Sequence, residues 1–119
     1  MSLTIYHNPR CSKSRETLKL LQESGVKHAV VEYLGEPPTA EQILQLASLL
    51  DVAVAELLRQ GENEFKNAQD LPDIDDDKAL AAWIARNPIV LQRPIVVDDD
   101  GSRAVVGRPP ENVLQLISP

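Results

Sequence analysis

Tyr6-His7-Asn8-Pro9-Arg10-Cys11-Ser12-Lys13-Ser14-Arg15 joins an apolar run at the start of the chain to the first helical pattern, and it carries the one cysteine. Leu3, Ile5 and Tyr6 around Thr4 read as a short buried strand, and Asn8-Pro9 as the turn that ends it. Ser12 to Ser24 reads as a helix with Leu18, Leu20 and Leu21 as its apolar positions. Cys11 is therefore expected at or beside a helix N-terminus. Backbone N–H groups there lack intrahelical partners, and the positive end of the helix dipole favours a thiolate over a thiol. Arg10, Lys13 and Arg15 are expected to add cationic charge at the same place. Lowering a cysteine pKa from ~8.5 to ~6.5 raises the thiolate fraction at neutral pH from about 3% to about three quarters. The same helix end also seats an oxyanion. Most free cysteines are small buried fillers, but the polar neighbours Arg10, Ser12, Lys13 and Ser14 argue for a reactive one.

Outward from this stretch, the first helix stops at Gly25, a good residue for the position after a helix. Ala29 to Tyr33 is the next strand, which should pair in parallel with the first as a right-handed βαβ unit. Glu36-Pro37-Pro38 breaks the chain, and Thr39 with Gln42 forms a capping box before a helix that buries Ile43, Leu46, Ala47 and Leu50. A further helix is expected after Asp51, carrying Val54, Leu57 and Leu58 and ending at Arg59 just before Gly61. By position alone, Arg59 reads as a surface cation offsetting the helix dipole. Glu62 to Asp70 is weakly helical. The run Asp73, Asp75, Asp76 and Asp77 lacks the glycine and distal glutamate of a calcium loop, so it reads as the N-cap of a helix burying Leu80, Trp83 and Ile84. That helix must end by Asn87-Pro88. Pro94-Ile95-Val96-Val97, the turn Asp98-Asp99-Asp100-Gly101 and Ala104-Val105-Val106 make a hairpin. Gly107-Arg108-Pro109-Pro110-Glu111 opens a last helix with Val113, Leu114, Leu116 and Ile117 to bury. The order β-α-β, helices, β-β-α describes an α/β sheet with a helical insertion.

A chain of 119 residues fits a single domain with one core. Its apolar share of 43% is near the globular average, and Tyr6, Tyr33, Phe65 and Trp83 are its only aromatics, so the core must be aliphatic. The net charge of −6 argues against nucleic acid or an anionic membrane surface as partner. One cysteine excludes an intrachain disulfide, no secretory pattern precedes the first strand, and no apolar run approaches the ~20 residues of a membrane span. The expectation is a cytoplasmic monomer with no metal and no bound cofactor.

Four motifs, in order along the chain, resemble those of the ArsC-type arsenate reductases, thioredoxin-like proteins that draw electrons from glutathione and glutaredoxin. His7-Asn8-Pro9-x-Cys11-x-x-Ser14-Arg15 is similar to that family's active-site signature, and Leu57-Leu58-Arg59 to its helical-insert arginine. Arg93-Pro94-Ile95-Val96-Val97 resembles its third-strand motif, and Gly107-Arg108-Pro109 its C-terminal arginine. The resemblance implies a four-stranded mixed thioredoxin-like sheet in one domain, residues 1–119, with the insertion at about 39–87. It implies that Cys11 attacks the arsenic of arsenate while Arg59, Arg93 and Arg108 surround the oxyanion, work that suits the planar, permanently charged guanidinium. Arg93-Pro94 would be a cis peptide, His7, Asn8 and Arg15 would support the loop, and Ser14 would donate a hydrogen bond to the sulfur. Glutathione would be the cosubstrate and glutaredoxin the protein partner.

Three other functions share features with this pattern; the first is set aside and the other two stay as alternatives. A phosphatase-like reductase places five residues between cysteine and arginine, whereas Cys11 and Arg15 enclose three. A glutaredoxin-like thiol oxidoreductase fits Cys-x-x-Ser but has no need of three further arginines. An Spx-like regulator binding RNA polymerase shares the fold and commonly carries a Cys-x-x-Cys switch, which Ser14 removes.

Overall fold

The computed structural model describes residues 2–117. Along β1 (Ser2–His7) burial alternates, with Leu3, Ile5 and His7 inside, as the two-residue period of a strand requires. The chain then turns at Asn8-Pro9 into α1 (Ser12–Ser24), which ends at Gly25 in the left-handed conformation with φ 75°. It returns as β2 (Lys27–Glu32), parallel to β1 with Ser2 opposite Lys27 and His7 opposite Glu32. The expected βαβ unit is thus formed, but β2 starts two residues before Ala29. β2 is an edge strand, and backbone pairing with β1 draws in the polar Lys27 and His28, which hydropathy alone does not mark.

β3 (Ile95–Asp98) lies antiparallel to β1, and β4 (Ala104–Val106) antiparallel to β3, giving the mixed sheet β2-β1-β3-β4. Gly101 turns the β3–β4 hairpin at φ 76°. After a 3₁₀ turn at Pro110–Val113, α5 spans Leu114–Ile117. Leu3, Ile5, Leu21, Val96, Val113 and Leu116 form an aliphatic core, with Leu18 and Leu20 packed against it. Leu114, expected inside, is 41% exposed. At about 100° per residue, Val113, Leu116 and Ile117 share one face of the winding and Leu114 points away from it.

The described chain divides into two compact units, one made of residues 2–33 with 93–117, the other of Leu34–Gln92. The expected helical stretch 39–87 falls inside the second. There α2 (Ala40–Leu50) is opened by the Thr39–Gln42 capping box and closed by Asp51 at φ 57°. α4 (Asp77–Arg86) is capped by the Asp76 carboxylate on the Ala79 N–H at 3.1 Å. Leu80, Trp83 and Ile84 of α4 and Ile43 and Leu46 of α2 are buried, and a short α3 (Asn63–Lys66) precedes α4. The helix expected after Asp51 is only a 3₁₀ turn, Val54–Leu57. The chain leaves it extended because Leu58 pairs with Leu91 and the Arg59 N–H donates to the Val90 carbonyl at 2.7 Å.

Candidate active site

Cys11 is the N-cap of α1, with extended backbone at φ −93° and ψ 123°. The turn before it is tied down locally. Its own N–H donates to the Asn8 carbonyl at 3.0 Å, and the Asn8 side-chain oxygen accepts the Arg10 N–H at 3.0 Å. The Cys11 carbonyl accepts the first helical bond, from the Arg15 N–H at 3.0 Å. The sulfur is thus carried on a rigid corner, partly accessible, at the end of the helix where unpaired N–H groups gather.

Two guanidiniums reach this sulfur, Arg93 from the segment before β3 and Arg108 from the loop after β4. Arg108 Nη2 donates to Cys11 Sγ at 3.3 Å, and Arg108 Nε donates to the Arg93 carbonyl at 2.7 Å. Burial of the sulfur acts to raise the thiol pKa. It is outweighed by the Ser14 N–H, the Arg108 charge, the Lys13 N–H and the Arg93 side chain, which together hold the Cys11 pKa below its ordinary value. The two N–H groups face the sulfur without closing an N-cap bond of strict geometry. Proximity in sequence pointed to the side chains of Arg10, Lys13 and Arg15. Instead Lys13 pairs with Glu16 at 3.8 Å, Arg15 donates to the Pro9 carbonyl at 2.9 Å, and the cations that act on the sulfur come from residues 93 and 108.

Behind the sulfur lies a buried polar network. His7 Nδ1 and Ser14 Oγ are 2.6 Å apart, and Ser14 Oγ accepts the Asn8 N–H at 3.0 Å. Ser14 therefore serves the sulfur through its backbone, while its hydroxyl joins the strand end to the helix. Burial, opposed by Glu32 and helped by the Arg15 charge, lowers the pKa of His7 and so favours the neutral ring.

The Arg93–Pro94 peptide is cis, and so is Arg108–Pro109. The Gly107 N–H donates to the Pro94 carbonyl at 2.9 Å. A side chain at Gly107 would meet Thr17 Oγ1 at 2.5 Å and Pro94 Cγ at 2.7 Å, so only glycine lets the Arg108 loop lie this close to α1. Thr17, buried on α1, was missed in the sequence; its position one turn from Ser14 and in phase with Leu21 was the available signal.

Arg59 lies in the other unit. Its Nε pairs with Glu62 at 3.4 Å and its Nη1 donates to the Gln92 side-chain oxygen at 3.3 Å. Glu62 and Gln92 had no signature in the sequence beyond their positions beside Arg59 and Arg93. Among the described residues no cluster of three or more histidine, cysteine or acidic side chains is arranged to hold a metal. Thiolate and guanidiniums together make a nucleophile set against donors for a tetrahedral oxyanion.

Residues 6–116 match the family model of the ArsC family. The chain is 45% identical over 114 residues to the uncharacterized protein YfgD of Escherichia coli (strain K12), across 95% of this chain and 94% of that protein. It is 42% identical over 113 residues to an arsenate reductase of Neisseria meningitidis, across 93% and 94% of the two chains. The solved structure of an arsenate reductase from Vibrio cholerae superposes with a TM-score of 0.83 at 41% identity, covering 97% of each chain. With its thioredoxin-like sheet, its Cys11 corner and a family match along nearly its whole length, the chain belongs to the ArsC family.

Proposed function

We propose that the protein is an arsenate reductase in which the Cys11 thiolate attacks arsenic and external thiols complete the reduction. The observation that carries this reading is the 3.3 Å bond from the Arg108 guanidinium to the Cys11 sulfur, which couples a favoured thiolate to an oxyanion donor. Attack forms an S–As bond and expels one arsenate oxygen as water, leaving Cys11–S–AsO(OH)2. Arg93 and Arg108 stabilise negative charge on the remaining oxygens. A thiol RSH then attacks the Cys11 sulfur. The new S–S bond releases As(OH)3, the two sulfurs supplying the two electrons that take arsenic from As(V) to As(III). Glutathione is the proposed thiol, and glutaredoxin the partner that reduces the Cys11–glutathione disulfide.

The test is NADPH-coupled arsenate turnover with glutathione, glutaredoxin and glutathione reductase. Sustained arsenite production by wild type and none by Cys11→Ser is expected. Absence of arsenite at millimolar arsenate, with Cys11 still freely alkylated, would remove arsenate as substrate and leave a thiol oxidoreductase.

A further inference from the structure

Five cations lie in or reach the Cys11 corner, and four are engaged: Arg108 with the sulfur and the Arg93 carbonyl, Arg93 with the sulfur, Arg15 with the Pro9 carbonyl, Lys13 with Glu16. Arg10 is different. It is exposed, its backbone is fixed by the Asn8 side chain, and among the described residues its guanidinium has no hydrogen-bond or ion-pair partner. It is also peptide-bonded to the nucleophile, with its N–H held so that the side chain starts from a defined point. Because it is not one of the groups acting on the sulfur, its charge remains available to whatever approaches from solvent.

We propose that Arg10 receives a carboxylate of the thiol that attacks at Cys11, making it a residue that selects carboxylate-bearing thiols over neutral ones. This rests on the reading of Cys11 as a thiolate resolved by an external thiol. The fit is one of reach. In a carboxylate-bearing thiol the negative group sits several bonds from the sulfur, so a cation one residue from Cys11 is placed for the carboxylate while Arg108 stays on the reacting centre. Guanidinium offers paired donors for that carboxylate. The background charge sharpens the need, since a chain of net charge −6 repels anions on average and must attract this reagent locally.

The experiment uses the full chain and two disulfide probes that react with Cys11 alone: 5,5′-dithiobis(2-nitrobenzoate), which bears carboxylates, and the neutral 4,4′-dithiodipyridine. In each, the Cys11 thiolate forms a mixed disulfide and releases one aromatic thiolate, read by absorbance. Arg10→Ala is expected to slow the carboxylate probe by about threefold to tenfold at low ionic strength, and Arg10→Glu further, with the neutral probe changed less than about twofold. Added salt should slow the carboxylate probe on wild type and not on Arg10→Ala. Lys19→Glu, on an exposed position of α1 ion-paired with Glu23, is the control for a general charge effect. Equal changes for both probes, no change for either, or the same discrimination lost in Lys19→Glu would each overturn the proposal. Because no arsenate is present, failure of arsenate turnover leaves this test intact, and unchanged probe selectivity leaves the reductase reading intact.

Discussion

At Cys11 the deciding quantity is the balance between burial, which raises the thiol pKa, and the Ser14 N–H, Arg108, the Lys13 N–H and Arg93, which lower it further than burial raises it. Alkylation by iodoacetamide, followed against pH, should therefore show a midpoint below the ~8.5 of a free cysteine, and Arg108→Ala should move it upward by removing the 3.3 Å contact. The same variant should lose about tenfold to a hundredfold in kcat/KM for arsenate, the range for a charge-assisted bond of ~1.5–3 kcal/mol, with Arg86→Ala on the exposed end of α4 unchanged. Cys11→Ser should abolish turnover while circular dichroism stays as in wild type, since the hydroxyl is nearly isosteric and far less acidic. His7 offers a separate readout. Its pKa is lowered in the folded chain, so folding favours the neutral ring. The stability this contributes is fully present above about pH 6.5 and is lost as the pH falls through the lower, folded value. Urea midpoints of wild type should thus fall relative to His7→Asn on going from pH 7.5 to pH 5, and parallel profiles would show that His7 does not titrate differently on folding.

Among the elements, those bounded by explicit chemistry were legible in the sequence. α1 runs between Cys11 and Gly25 as expected, because a polar turn opens it and glycine at φ 75° closes it. The Thr39–Gln42 box and the Asp76 cap mark α2 and α4 in the same way. What could not be read were contacts made across the chain. The start of β2 is set by pairing with β1, and the path through Arg59 by the bridge from Leu58 to Leu91. The meeting of Cys11 with Arg108, 97 residues apart, had no trace in spacing and entered only through the motifs of a known family. Gly107 is where this long-range fit is tightest. Gly107→Ala would place a methyl group against Thr17 and Pro94, so a loss of about 1–3 kcal/mol in urea unfolding is expected. Reactivity of Cys11 should change with it, as the Arg108 loop is pushed from α1. Gly61→Ala, with nothing within 4 Å of the new carbon, is the matched control.

For the molecule as a whole, one sulfur limits the chemistry. A chain with a single cysteine cannot close an internal disulfide, so in the proposed reaction the second thiol comes from outside. Turnover should require glutathione and glutaredoxin together. Thioredoxin with its reductase as sole thiol source should not sustain it, and if it does, the proposed reductant is wrong. The division into two compact units has a further use, because Trp83 is the only tryptophan and is 1% exposed within Leu34–Gln92, while Cys11 belongs to the other unit. Nature has thereby supplied two independent optical and chemical reporters, one per unit, with no label to introduce. Indole emission follows the helical unit alone and thiol trapping follows the sheet unit alone. Recorded through one urea titration, coincident curves would mean that the halves melt as a single cooperative body, and separated curves would reveal which half gives way first.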